Sequence, residues 1–510
     1  MFVGTGSDVG KSVLAAAFCR IFLQDGYHPA PFKAQNMALN SYATPDGLEI
    51  GRAQAVQAEA AGIPCETDMN PLLLKPQSDH TSQVVLHGKP LGNKDAYDYW
   101  RRQGDKNTGR PLELCSLATG GTQEGDKETG RQDDTPDYRQ EVCKAFDRLS
   151  GKYNPIVMEG AGSISEINLR DTDLVNMPMA RHADADVILV GDIDRGGVFA
   201  SVYGSIALQS PEDRRRIKGI IINKFRGDMR LFDEGRQMLE QLCGIPVLGV
   251  IPYFKDINIE EEDSVALAQK SWQLEQGKVN VAVVMLKHLS NYTDFDALER
   301  DPRIHLFYTN NVDDISKADI IILPGSKSTL DDLYELRRNG CAQAIIRAHR
   351  DGATVLGICG GYQMMGVEVC DPDHVEGDIE RLPGLALLPT TTTMSGEKRT
   401  RQVECEFGKG YEIHMGETRP FGDAKSSPLT QLDDGTPDGY FVNEKCMGTY
   451  LHGILDNAPF VDFLLSPYAE KISQSAETFD YVSFKEEQYN RLAEHVRHHV
   501  DMEKIYEILR

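Results

Sequence analysis

Short apolar runs alternate with amphipathic segments along the first half of this chain. The apolar runs have the length and composition of strands, and the segments between them follow the helical period. Such alternation predicts a doubly wound parallel sheet, because crossover helices join parallel strands. The predicted strands are Pro31–Lys33, Gln83–His87, Pro155–Glu159, Asp186–Asp192, Gly219–Asn223 and Val247–Pro252. The predicted helices are Lys11–Gln24, Glu49–Gly62, Tyr138–Leu149 and Arg230–Leu242.

Two segments interrupt this alternation. Residues 101–136 are rich in Gly, Thr, Gln and mixed charge, which predicts a polar surface insertion. An acidic run begins at Glu260 and predicts a linker over residues 259–278. We therefore expect two α/β domains, at residues 1–258 and 279–510, with helices at the end of the second.

The second half again alternates strands and helices. Its predicted strands are Asn280–Leu286, Ile304–Thr309, Asp319–Leu323, Thr354–Ile358, Arg401–Phe407, Tyr411–Met415 and Gly448–Leu451. Its predicted helices are Ser328–Asn339 and Ala342–Arg350, and residues 460–510 are expected to be mostly helical.

Composition excludes several classes of protein. The chain has 510 residues with 54 Lys+Arg and 78 Asp+Glu, a net charge of −24 that disfavours nucleic acid and anionic membranes as partners. The ten cysteines show no C-x-x-C spacing, so neither a zinc site nor a disulfide scaffold is indicated. No apolar run is long enough to span a bilayer, and no signal peptide follows Met1. We expect a soluble, cytoplasmic protein.

A glycine-rich loop at Gly4–Ser12 opens the first predicted helix. Gly6 and Gly10 allow backbone N–H groups to face phosphate oxygens, and the helix N-terminus adds positive potential. Lys11 can reach the β- and γ-phosphates of ATP, and the Ser12 hydroxyl can bind Mg²⁺. The loop is one residue longer than the strict P-loop spacing. A turn that binds nothing is the alternative, disfavoured by Gly-Lys-Ser at a helix start.

Four further residues are candidates for this nucleotide site. Glu159 ends a predicted strand, where open α/β sheets bind ligands, and could hold Mg²⁺. Asp46 is a second candidate metal ligand, although a Pro-Asp-Gly turn explains it equally well. Lys33 follows another strand and could neutralise phosphate or carboxylate, or could be a solvated lysine. Asn223 ends another predicted strand at a position that resembles an adenine-reading one, with an ordinary loop asparagine as the alternative.

The second half contains a cysteine in a strand–turn–helix setting. Cys359 lies in a G-x-C-x-G sequence, the thiol version of the nucleophile elbow, and the helix N-terminus favours its thiolate. The N–H of Gly360 would form half of an oxyanion hole, and Gly325 could supply the other half. A buried structural cysteine is the alternative.

A nucleophilic cysteine requires a base. His452, in the run Tyr-Leu-His-Gly, follows a short predicted strand and could serve this role. His414 is a competing candidate, and the sequence does not decide which imidazole lies beside Cys359.

The motifs around Cys359 and His452 resemble those of class I glutamine amidotransferase domains. The first half resembles dethiobiotin-synthetase-like ATPases. An ATPase of this kind followed by an amidotransferase domain resembles the amidating synthetases of cobalamin biosynthesis. Longer sequences strengthen this resemblance over nearly the whole chain: Phe32–Asn40, Gly51–Glu59, Met69–Pro76 and Asp192–Phe199.

This resemblance implies a reaction. ATP and Mg²⁺ would support amidation of the b, d, e and g carboxylates of adenosylcobyrinic acid a,c-diamide, with glutamine as ammonia donor. Cys359 would be the nucleophile and His452 its base. Class I enzymes usually place Glu two residues after the histidine, where this chain has Ile454, so the orienting group is left open. Because protonated ammonia is not nucleophilic, we expect a protected path from Cys359 to the ATP site.

Two alternatives remain at this stage. One is the related synthetase that forms the a,c-diamide, which shares this architecture. The other is a P-loop switch ATPase with an inactive amidotransferase-like binding domain, which the intact Cys359 motif disfavours. Small-molecule substrates are expected in either enzyme, and oligomerisation is not decided by the sequence.

Overall fold

The computed structural model describes residues 1–76, 81–95, 136–260, 274–472 and 478–509. The predicted insertion at 101–136 lies outside the described residues except for its last residue. The predicted linker at 259–278 is described only at its two ends. The described chain forms two α/β halves, each built around a mainly parallel sheet.

The N-terminal half confirms the predicted parallel sheet, except that the predicted strand Gln83–His87 is Thr81–Leu86 and pairs antiparallel with its neighbours in a separate sheet. Its first strand pairs with Val187–Asp192, and every neighbouring pair in the sheet is parallel. A bridge between Phe2 and Glu159 continues the sheet into a further parallel pair. In spatial order the strands are Ala30–Phe32, Ile156–Met158, Phe2–Gly4, Val187–Asp192, Ile217–Phe225 and Val247–Pro252.

The C-terminal half contains a second sheet with an apolar core. Five of its strands are parallel, and one edge strand, Tyr440–Asn443, is antiparallel. In spatial order the strands are Ile304–Thr309, Val279–Val284, Ile320–Leu323, Thr354–Ile358, Cys446–Thr449 and Tyr440–Asn443. Their carboxyl ends meet at one edge, which brings the loops after Leu323 and Ile358 together.

A long antiparallel ribbon connects the two halves. Its strands, Thr390–Cys405 and Gly408–Pro420, extend well beyond the short runs predicted there. The ribbon packs on a hairpin of the N-terminal half, Ser41–Ala43 with Glu49–Gly51, where Gln402 Nε2 donates to the carbonyl of Ala43 at 2.8 Å. The predicted helix therefore begins at Arg52 instead of Glu49, because Glu49–Gly51 forms a strand of this hairpin.

The last two helices depart from the expected domain division. We assigned them to the second domain, but they pack against the first. Leu492 and Val496 share one buried core with Leu14 and Phe18 of the helix that follows the glycine-rich loop. The chain therefore returns to the N-terminal half after completing the second sheet.

The remaining elements complete the description. Further strands are Gln35–Met37, Leu72–Pro76, Thr81–Leu86, Lys89–Asp95, Glu368–Cys370, Arg381–Pro383, Thr430–Gln431 and Pro437–Asp438. The α-helices are Lys11–Gln24, Arg52–Ala60, Tyr138–Ser150, Met177–His182, Val198–Ala207, Pro211–Arg216, Asp233–Cys243, Asp296–Arg300, Val312–Ile315, Thr329–Arg338, Cys341–Arg350, Gly360–Met365, Ala458–Leu465, Tyr481–His499 and Met502–Ile508. No helix among the described residues has the length and apolar content needed to cross a bilayer.

The returning helix should stabilise the N-terminal half. Leu492 is fully buried, so Leu492→Ala should lower the free energy of unfolding by about 2–5 kcal/mol through lost contacts and a cavity. Chemical denaturation followed by fluorescence measures this change. Glu494→Ala, at an exposed position of the same helix, is the control. Equal effects of the two substitutions would contradict this packing role.

Candidate active site

The glycine-rich loop wraps around the ammonium group of Lys11. The helix begins after Gly10, whose φ of 97° lies in the left-handed region that glycine adopts without strain. Lys11 Nζ donates to the carbonyls of Gly6 and Gly162, at 2.9 and 3.0 Å. The lysine is therefore held across the mouth of the loop, at the N-terminus of a helix, where phosphate is favoured.

Glu159 lies at the centre of this site and is almost fully buried. It accepts hydrogen bonds from Ser12 Oγ at 2.8 Å and Gln57 Nε2 at 2.7 Å, and pairs with Lys33 Nζ at 2.9 Å. Burial alone would raise the pKa of Glu159, but Lys33 and these hydrogen bonds bring it below its ordinary value. Gln57 was not predicted, although it lies within Gly51–Glu59, one of the sequences carrying the family resemblance.

The oxygens of Ser12 and Glu159 fit Mg²⁺, which prefers hydroxyl, carboxylate and phosphate ligands. They lie side by side at the mouth of the loop. The described residues contain no group of three His, Cys, Asp or Glu side chains placed to enclose a metal ion. A Mg²⁺ ion held by these two oxygens would need further oxygen ligands, which phosphate and water can supply.

Asp46 does not join this site. It lies exposed in the turn of the hairpin, where its carboxylate accepts a hydrogen bond from the Thr44 hydroxyl at 2.5 Å. Among the described contacts, none joins Asp46 to Ser12 or Glu159. The turn interpretation accounts for this residue, and the predicted metal-ligand role is not supported.

Asn223 supports the phosphate loop from the neighbouring strand. Its Nδ2 donates to the carbonyl of Val9 at 2.9 Å, next to Gly10. A Cβ atom at Gly10 would lie 2.2 Å from this amide nitrogen, so glycine is required there for space as well as conformation. Asn223 Oδ1 is buried with no hydrogen-bond partner among the described residues. Adenine recognition by Asn223 stays a prediction.

The predicted elbow is present at Cys359. The cysteine has φ 52° and ψ −110° between strand Thr354–Ile358 and the following helix, a strained turn that projects its side chain from the sheet edge. Two flanking glycines permit the close approach of neighbouring backbone. A Cβ atom on Gly361 would lie 1.9 Å from the carbonyl oxygen of Leu323, and one on Gly357 would lie 2.7 Å from Tyr362 N.

The two predicted oxyanion-hole glycines lie on converging loops. The Cβ position of Gly360 is 2.8 Å from Ser326 N, and that of Gly325 is 3.3 Å from His452 Cε1. Because Gly360 begins a helix, its N–H has no acceptor within that helix and is available to a ligand. The structure thus brings Gly325, Gly360, Cys359 and His452 together.

Asp294 supplies the carboxylate that the sequence left open. His452 Nδ1 lies 2.7 Å from Asp294 Oδ2, and Gly453 N donates to Asp294 Oδ1 at 3.0 Å. Both side chains are buried, and the Tyr411 ring stacks on the imidazole. Burial would lower the pKa of His452, but Asp294 and Cys359 raise it to about 10.

Sequence reasoning missed Asp294 because it lies far from His452 along the chain. Its only local signal is a short polar segment, Asn291–Asp294, shortly after strand Val279–Val284. Once the strand is placed in the sheet, this segment falls at the same carboxyl edge as Cys359.

His414 has a different environment from His452. Its ring stacks on Tyr450 with 3.7 Å between centroids, and its Nδ1 lies 2.8 Å from the carbonyl oxygen of Gly416. Burial lowers the pKa of His414 to about 3, so the ring is neutral at physiological pH. No described carboxylate orients it, which favours His452 over His414 as the base.

Buried side-chain amides lie on both sides of the contact between the halves. Asn291 Nδ2 donates to the carbonyl of Ser41 at 3.2 Å and to the Tyr411 hydroxyl at 3.0 Å, across the contact between the halves. On the N-terminal side, Asn36 Nδ2 donates to Gln54 Oε1 at 3.1 Å, and Gln57 reaches Glu159. Gln54 Nε2 and Gln57 Oε1 are buried without hydrogen-bond partners among the described residues.

Comparison with known families assigns both halves. Residues 1–266 match the family described as the CobQ/CobB/MinD/ParA nucleotide binding domain. Residues 280–460 match the CobB/CobQ-like glutamine amidotransferase domain.

Curated relatives match the whole chain. The cobyric acid synthase of Bacteroides fragilis is 68% identical over 100% of this chain and 98% of its own length. That of Phocaeicola vulgatus is 66% identical with the same coverage. That of Syntrophobacter fumaroxidans is 46% identical, again over 100% and 98% of the two chains. This chain therefore belongs to the cobyric acid synthase family.

Proposed function

We propose that this protein uses ATP and glutamine to amidate the b, d, e and g carboxylates of adenosylcobyrinic acid a,c-diamide, giving adenosylcobyric acid. The observation that carries this proposal is the pairing of two sites in one chain. A phosphate loop with Lys11, Ser12 and Glu159 serves carboxylate activation, and a Cys359–His452–Asp294 arrangement serves ammonia release.

The N-terminal site would activate a substrate carboxylate. A carboxylate is a poor electrophile, so one of its oxygens attacks the γ-phosphorus of ATP, and ADP leaves. Lys11 and Lys33 neutralise charge on the phosphoryl oxygens and on the incoming carboxylate. Bound Mg²⁺ would add positive charge there, held through the oxygens of Ser12 and Glu159. Ammonia then attacks the acyl carbon, and inorganic phosphate leaves.

The C-terminal site would release that ammonia from glutamine. The Cys359 thiolate attacks the amide carbon while the N–H groups of Gly360 and Gly325 stabilise the oxyanion. Protonated His452, held by Asp294, donates a proton to the departing nitrogen. The remaining thioester is hydrolysed by water, which His452 deprotonates, and glutamate is released.

The protected path for ammonia would cross the contact between the halves, along buried side-chain amides on either side of it. Asn291 lies at the His452 end, and Gln54 and Gln57 lie towards Glu159. Amides neither protonate ammonia nor bind it as strongly as carboxylates would. Ammonia can therefore pass along them in its nucleophilic form.

Cys359→Ala should abolish glutamine-driven amidation and spare amidation driven by added ammonium salt. The substitution removes the nucleophile but leaves the phosphate loop unchanged. Mass spectrometry of the corrinoid product counts the added amides for each nitrogen source. Loss of both activities in a folded variant would contradict the division of labour, and no mass change with the wild-type protein would overturn the proposed substrate.

Asp294→Asn should lower kcat for glutamine hydrolysis by about 10²–10⁴-fold, because the imidazole loses the carboxylate that fixes its tautomer. The pKa of His452 should fall, since Asp294 is the largest influence raising it. Glutamate release measured against pH reports both effects. Asp313→Asn, at an exposed position in the same half, is the matched control. If the Asp294→Asn variant hydrolyses glutamine at the wild-type rate, Asp294 has no role in orienting His452.

Glu159→Gln should lower ammonia-driven amidation at least about 10²-fold, because phosphoryl transfer depends on placed charge and metal oxygens. Asp46→Asn should leave the rate within about twofold, as expected for a surface turn residue. Phosphate release at several Mg²⁺ concentrations measures both variants. The reverse ranking would restore Asp46 as the metal ligand.

A further inference from the structure

Three lysines line the pocket that contains Cys359 and His452. Lys75 comes from strand Leu72–Pro76 of the N-terminal half, and Lys398 from the ribbon. Lys327 lies two residues after Gly325, in the loop that approaches Cys359. Phosphate-loop chemistry and thiol chemistry leave these ammonium groups without an assigned role.

Only two of the three lysines are paired with a carboxylate. Glu49 lies between Lys75 and Lys398, with 2.7 Å from its Oε1 to Lys75 Nζ and a short contact from its Oε2 to Lys398 Nζ. Burial would raise the pKa of Glu49, but these two lysines hold it well below its ordinary value. Glu49 therefore carries one negative charge between two positive charges.

Lys327 is held by a neutral group instead. Its Nζ donates to Gln83 Oε1 at 3.1 Å, across the contact between the halves, and it forms no ion pair within the described residues. Burial and repulsion from Lys75 and Lys398 lower the pKa of Lys327 to about 7. Glu376 also lines the pocket and its charge favours the Lys327 ammonium, although burial raises the pKa of Glu376 to about 7.

The pocket thus holds three lysines beside two carboxylates, Glu49 and Glu376, which is an excess of one basic group in a buried setting. Such an excess is unfavourable unless an anion or a compensating hydrogen bond offsets it. Glutamine carries one anionic group, its α-carboxylate, at the end opposite the amide that Cys359 attacks. A carboxylate near Lys327 would favour the charged ammonium and relieve the repulsion between the lysines.

We propose that Lys327, supported by Lys75 and Lys398, binds the α-carboxylate of glutamine and selects for it. This inference rests on the proposed glutaminase function of the same pocket. Lys75, Glu49 and Gln83 belong to the N-terminal half, so the carboxylate subsite is completed only by contact between the halves. Glutamine binding would thereby depend on the same contact that guides ammonia to the ATP site.

The test compares glutamine with its α-amide, in which a neutral carboxamide replaces the α-carboxylate. In the full-length wild-type protein, kcat/KM for ammonia release should be at least about tenfold higher with glutamine than with its α-amide, because a charged hydrogen bond contributes that much. Lys327→Met should lower kcat/KM for glutamine about 10–100-fold, mainly through KM, and change that for the α-amide less than about threefold. Ammonia release measures both substrates.

Three outcomes test the carboxylate subsite, and a fourth tests the proposed function. The subsite is supported if Lys327→Met no longer distinguishes glutamine from its α-amide while Lys287→Met, a control at an exposed lysine, still does. Equal losses for the two substrates would overturn it, because a structural role affects both alike. An active wild-type enzyme that does not distinguish the substrates would also overturn it, independently of whether any variant folds. Absence of wild-type glutaminase activity would instead refute the proposed function.

Discussion

The buried carboxylate of Glu49 joins the two halves through ion pairs that are almost fully excluded from water. It pairs with Lys75 of its own half and with Lys398 of the ribbon. Removing one member of such a network leaves an uncompensated buried charge, which costs about 3–5 kcal/mol. The ribbon is therefore fixed on the N-terminal half beside Cys359, and the glutaminase pocket takes its final form at this contact.

The same contact links the orienting group of His452 to the ATP-using half. Asn291 donates to the carbonyl of Ser41 and to Tyr411, whose ring stacks on His452. Asp294 follows three residues later in the same short turn. A displacement of the hairpin would thus reach the imidazole through one turn of backbone. The hairpin, Asn291, Tyr411 and the imidazole therefore form one continuous set of buried contacts across the two halves.

Local sequence signals predicted the parts of the molecule whose structure is local. The parallel sheets, the loop before Lys11 and the elbow at Cys359 depend on short-range periodicity and glycine placement, and the structure has them. Asp294 could not be found in this way, because its role exists only after two strands become neighbours in the sheet. The returning helix at Tyr481–His499 was assigned to the wrong half for the same reason. Amphipathic periodicity predicts that one face of a helix is buried, but it does not identify the element against which that face packs.

Charge was the property most easily misjudged from composition. A net charge of −24 disfavours anionic ligands at long range, yet salt screens surface fields beyond about 8 Å. Lys11, Lys33, Lys75 and Lys398 are instead buried, where charges are screened less and act over short distances. We therefore expect anion recognition in this protein to depend on these few placed ammonium groups.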